Sequence, residues 1–77
     1  MPKTAARREL DLCGIPCPLS WARAKALLEE LQPGDVLTVL TDDPRAVRDI
    51  PGAAEIEGYM IVEIETSPAG TRILIER

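Results

Sequence analysis

Histidine is missing from this chain of 77 residues, and phenylalanine with it. Without an imidazole there is no histidine general base, and the zinc sites built on histidine are excluded as well. Aromatic residues fall to 3%, Trp21 and Tyr59, so a core has to be assembled from Leu, Ile, Val and Ala. The apolar share of 45% is enough for a folded domain, and the length leaves room for only one. Basic residues are outnumbered, 9 Lys and Arg against 13 Asp and Glu, for a net charge of −4. Such a chain has no electrostatic footprint for nucleic acid or for an anionic membrane surface, and direct nucleic-acid binding is not expected. No segment approaches the roughly 20 apolar residues of a membrane helix. The basic residues Lys3, Arg7 and Arg8 are not followed by the apolar stretch of a secretory signal, so a cytoplasmic location is expected. Cysteine is scarce too, with only Cys13 and Cys17. In a reducing compartment these read as reactive or buried thiols rather than a structural bridge, and two thiols do not complete a metal site, so no metal is expected.

What is present divides the chain into a basic tail over residues 1–8, expected to be disordered, and one domain over residues 9–77. Glu9-Leu10-Asp11-Leu12 alternates polar and apolar residues, the period of a strand. Cys13-Gly14-Ile15-Pro16 reads as a turn. From Pro18 to Leu31, Ala24, Leu27, Leu28 and Leu31 recur at i, i+3, i+4 and i+7, with Trp21 on the same stripe, which predicts a helix. Pro33-Gly34-Asp35 ends it. Val36–Thr41 is rich in β-branched residues and apolar on both faces, as in a strand well inside a sheet. Asp42-Asp43-Pro44 offers an Asp cap and a Pro in the first helical turn. The helix it opens should run towards Glu57, broken or bent at Pro51-Gly52. Tyr59–Thr66 and Thr71–Glu76 read as strands joined by the turn Ser67-Pro68-Ala69-Gly70. The order βαβαββ predicts an α+β, two-layer sandwich: a mixed four-stranded sheet with two helices on one face.

The chemistry concentrates at Cys17. With Pro18 as the first helical residue, Cys17 takes the N-cap, where the unpaired N–H groups and the positive end of the helix dipole favour a thiolate. A persulfide anion would be held by the same environment, and no histidine is needed to activate the sulfur. Composition alone leaves an inert, buried Cys17 equally open.

The segment Leu10-Asp11-Leu12-Cys13-Gly14-Ile15-Pro16-Cys17-Pro18 resembles the Leu-Asp-x-x-Gly-x-x-Cys-Pro signature of the TusA-like (SirA-type) sulfur carriers. Gln32-Pro33-Gly34-Asp35, Asp42-Asp43-Pro44 and Asp49-Ile50-Pro51-Gly52 resemble the same family at matching intervals, so the resemblance spans Leu10 to Arg77. It implies the βαβαββ sandwich and a sulfurtransferase-type carrier in which Cys17 accepts a persulfide. The sulfur would come from a donor protein, a cysteine desulfurase or a rhodanese-like enzyme, and pass to an acceptor protein. It also implies a monomer with no cofactor beyond the covalent sulfur. The family usually carries Cys-Pro-x-Pro, whereas this chain has Cys17-Pro18-Leu19-Ser20. Ser20 should not break the helix, because its N–H lies in a turn that needs no intrahelical partner. The departure bears on which partner docks at the helix start formed by Pro18, Leu19 and Ser20.

Cys13 has two readings: a resolving thiol that attacks the Cys17 persulfide, or a side chain that only fills space at the end of the first strand. Arg45 and Arg48, one helical step apart, could hold an anionic sulfur group or an acidic partner, or form a solvated face. Asp42, Asp43 and Asp49 look like a carboxylate cluster, but helix capping explains at least one of the first two more simply. Two rival functions remain: a regulatory or interaction module with this fold, and a Cys13/Cys17 dithiol redox protein. The latter lacks the Cys-x-x-Cys spacing.

Overall fold

A computed structural model describes residues 7–16 and 18–77. Along them run β1 (Arg7–Asp11), α1 (Leu19–Glu30), β2 (Val36–Thr41), α2 (Pro44–Ile56), β3 (Met60–Ser67) and β4 (Gly70–Glu76), in the expected βαβαββ order. The four strands form one mixed sheet in the order β1-β2-β4-β3. β1 lies parallel to β2, with Arg7 opposite Val36. β4 is antiparallel to β2 on one side and to β3 on the other. A parallel neighbour requires a long crossover, which α1 supplies, whereas β3 and β4 need only the tight turn at Pro68-Ala69.

Side-chain alternation shows which face the helices cover. Leu37, Val39 and Thr41 of β2 and Thr71, Ile73 and Ile75 of β4 are buried, while the alternate residues Val36, Thr38, Leu40 and Leu74 are half-buried. The buried apolar set joins Ala24, Leu28 and Leu31 from the first helical segment and Ala46, Ile50 and Ala54 from α2 in a single core cluster. Trp21 and Leu27 flank it, half-buried, so the predicted stripe of α1 faces the sheet.

Five of the six elements differ from the sequence expectation. β1 begins at Arg7, so Arg7 and Arg8, which the composition assigns to a tail, are strand residues; residues 1–6 lie outside the described residues. α2 is one continuous helix through Pro51 and Gly52. Its Ala46, Ile50 and Ala54, spaced by four, are all fully buried, and burial of that stripe outweighs the helix bond that Pro51 cannot make. β3 is displaced by one residue, starting at Met60 and ending at Ser67, and β4 starts at Gly70. α1 starts at Leu19 with Pro18 as its N-cap, one residue later than Cys17-Pro18 suggests.

The last residue also has a structural task. Arg77 N–H donates to Asp35 O at 2.9 Å, and Gly34 N–H donates to Arg77 O at 2.8 Å. The Arg77 guanidinium donates to Glu29 O at 2.9 Å and to Leu31 O. It thereby satisfies carbonyls left open where α1 ends.

Candidate functional site

The loop between β1 and α1 is fixed at its start by the sheet. Leu12 N–H donates to Leu40 O at 2.7 Å, and Ile15 N–H turns back to Leu12 O at 3.0 Å. Between them, Cys13 N–H donates to Asp11 Oδ1 at 2.9 Å. Gly14 N–H donates to Asp42 Oδ1 at 3.0 Å, a bond between residues 28 apart in sequence. Gly14 has φ of 82°, a conformation that costs glycine little. Two carboxylates, one from each of the paired strand ends, therefore hold a single tight turn.

Cys17 itself lies outside the described residues, but the cap of α1 is Pro18, so the expectation that Cys17 takes the N-cap does not hold: the helix begins one residue later. On its two sides in the chain, Pro16 and Pro18 are exposed, and Leu19 is 59% exposed. Ser20 is different. It is fully buried, its N–H donates to Pro16 O at 3.1 Å, and its hydroxyl has no hydrogen-bond partner among the described residues. As expected, Ser20 does not break the helix, and its N–H finds its partner outside it. A proline at position 20 could not make that bond, so Ser20 gives the loop a tie that the Cys-Pro-x-Pro pattern lacks.

Beside this loop lies a depression of about 330 Å³ formed by Gly14, Ile15, Pro16, Asp42 and Asp43. A larger groove of about 610 Å³ lies between the start of α2 and the β3–β4 hairpin. Asp42 borders both.

The three aspartates do not act as a cluster. Asp42 holds Gly14, Asp43 Oδ1 accepts from Arg45 N–H at 2.9 Å as the cap of α2, and Asp49 pairs with Arg48 Nε at 3.0 Å. Among the described residues no group of acids or cysteines is arranged to hold a metal. Arg45 and Arg48 are exposed on α2. Arg48 engages its neighbour Asp49.

Cys13 is a free, half-buried thiol. Its burial, its hydrogen bond to Asp11 and the charges of Asp11 and Asp42 all push its pKa up. The same contacts, backbone first and then thiol, hold the Asp11 carboxyl below its ordinary range. The sequence pattern does not reveal this acidic bracket, because the Asp42 arm depends on β1 and β2 ending side by side.

No helix among the described residues is long and apolar enough to cross a membrane. A family model described as Sulfurtransferase TusA matches residues 8–77. An Archaeoglobus fulgidus protein described as "Putative sulfur carrier protein" is 38% identical over 60 residues, which is 78% of this chain and 68% of the relative. The crystal structure of a SirA-like protein from Desulfitobacterium hafniense aligns with a TM-score of 0.76 at 31% identity, over 90% of this chain and 93% of that one. The family match runs through all six elements and the fold recurs in a neighbour of clear sequence identity, so the chain belongs to the TusA sulfurtransferase family of sulfur carriers.

Proposed function

We propose that this protein relays sulfur as a persulfide on Cys17, taking it from a donor sulfurtransferase and passing it to an acceptor protein. The observation that carries the reading is the family match over residues 8–77, together with the place of Cys17-Pro18 in the sequence, just ahead of Leu19 where α1 begins. A carrier has to offer its sulfur to two partners in turn, and the exposed Pro16, Pro18 and Leu19 supply an apolar rim on which either could dock. A cysteine desulfurase or a rhodanese-like enzyme is the donor class that fits a persulfide acceptor. Acting through a thiolate, Cys17 needs no histidine base, and the chain has none.

Intact mass after incubation with a persulfide donor tests this directly. Wild type and Cys13→Ser should each gain the mass of one sulfur atom, removable by a reductant, and Cys17→Ser should gain none. A gain on Cys17→Ser equal to that of wild type would show the assignment to be wrong. Alkylation rate against pH should place the Cys17 thiol below the roughly 8.5 of a free cysteine.

A further inference from the structure

The proposed relay uses one thiol and leaves the other without a task. Cys13 is four residues from Cys17 in the same loop, and a thiolate there would endanger the cargo. It would attack Cys17 Sγ of the persulfide, forming a Cys13–Cys17 bond. The bond from Cys17 Sγ to the outer sulfur would break, and that sulfur would leave as hydrosulfide with the bonding electron pair. The two cysteine sulfurs end as a disulfide while the outer sulfur is reduced, so no external oxidant is needed. The only proton released from the protein is that of Cys13, and the rate follows its thiolate fraction.

The turn is built to keep that proton in place. The Asp11 carboxylate accepts the Cys13 N–H at 2.9 Å and so sits beside the residue that carries the thiol. Asp42 reaches across from the β2–α2 connection to hold the next peptide N–H at 3.0 Å. The charged groups acting on the thiol from both strand ends are therefore acids, and neighbouring Asp43 is engaged at the cap of α2. Ionising Cys13 would set a third negative charge beside two others. Half-burial acts in the same direction.

We propose that Asp11 and Asp42 are positioning residues that hold Cys13 as an unreactive thiol, so that a persulfide on Cys17 survives until an acceptor arrives. This rests on the reading of Cys17 as the carrier. The same bracket opposes the dithiol redox alternative, which requires a reactive Cys13.

In Cys17→Ser, Cys13 is the sole thiol, and its alkylation by iodoacetamide can be followed against pH. The folded protein should titrate above the same chain in denaturing urea. Asp11→Asn and Asp42→Asn each keep an oxygen to accept the backbone N–H but lose the charge, so each should lower that midpoint and speed alkylation several-fold at neutral pH. In a second arm, chains retaining both cysteines are loaded with inorganic polysulfide, freed of excess reagent, and followed by intact mass and hydrosulfide release. Wild type should lose sulfur slowly and the Asn variants several-fold faster, with the disulfide appearing in step, while Cys13→Ser should form none. A wild-type chain that takes up no sulfur overturns the carrier reading and the proposal with it. Chains that load sulfur, but whose Asn variants match wild type in both alkylation and decay, overturn the proposal alone.

Discussion

Individual residues divide into those whose role is local and those whose role depends on the fold. Asp43 belongs to the first kind: Asp-Pro at a helix start is a cap in almost any context, and Asp43 caps α2. Ser20 and Gly70 belong to the second. Ser20 reads as a neutral replacement for the family's second proline, yet its hydroxyl is buried without a partner among the described residues. A buried hydroxyl left unpaired costs on the order of 1–3 kcal/mol. Ser20→Ala should therefore hold or raise the urea midpoint, while Ser20→Pro, which also loses the bond to Pro16 O, should lower it. Gly70 reads as an ordinary turn glycine, but it has φ of 134°, and a Cβ there would lie 2.8 Å from the Thr41 backbone oxygen. Gly70→Ala should destabilise the fold by about 1–3 kcal/mol, read as a lower melting temperature. A variant as stable as wild type would show that the hairpin can move away from β2. The acidic bracket around Cys13 was not legible as a whole: Asp11 is only two residues away in sequence, but Asp42 meets Gly14 only once β1 lies beside β2.

At the scale of elements, periodicity carried most of the fold. The stripe Ala24, Leu27, Leu28 and Leu31 and the alternation in β2 appear where the sequence places them. Local breakers misled in α2, because Pro51-Gly52 is a strong signal to end a helix while the stripe Ala46, Ile50 and Ala54 acts only after packing against the sheet. β3 was found by its composition, but its exposure was not foreseeable before the strand order placed it at an edge. There Met60, Val62 and Ile64 are 62%, 51% and 47% exposed. Unpaired edges invite pairing with another chain, and natural edges carry charges and bulges against it. β3 has both: Glu63 and Glu65 are exposed among the apolar residues, and the register shifts between Ile61 and Glu63. Replacing both carboxylates, Glu63→Val with Glu65→Val, should leave the fold intact and produce self-association in sedimentation at concentrations where the parent stays monomeric. If the double variant sediments like the parent, the bulge alone protects the edge.

For the whole molecule, two groups of the β1–α1 turn should limit stability from opposite ends of the pH scale. Asp11 has its pKa lowered in the fold, first by the Cys13 N–H and then by the thiol. Its contribution is present above its unfolded value, about 4, and is lost as pH falls through the lower folded value. Cys13 has its pKa raised, first by burial and then by Asp11. Above the thiol's unfolded value, roughly 8.5, the unfolded chain releases a proton that the folded chain retains, and stability falls until pH passes the folded value. The Lys25–Glu57 pair, at 2.7 Å between α1 and the cap of α2, acts in the same alkaline direction at higher pH, since Glu57 raises the Lys25 pKa. Urea midpoints measured across pH should therefore form a plateau from about 4 to about 8.5 with a falling limb on each side. Asp11→Asn should make the acid limb shallower. Cys13→Ser should flatten the alkaline limb where it begins and leave the later, lysine-linked fall in place. These two changes are separable because one alters the proton count of the unfolded chain near pH 4 and the other near 8.5. An alkaline limb that starts at the same pH in Cys13→Ser as in wild type would mean that the folded protein does not hold the Cys13 proton more tightly than the open chain, and the protective role of the acidic bracket would fail with it.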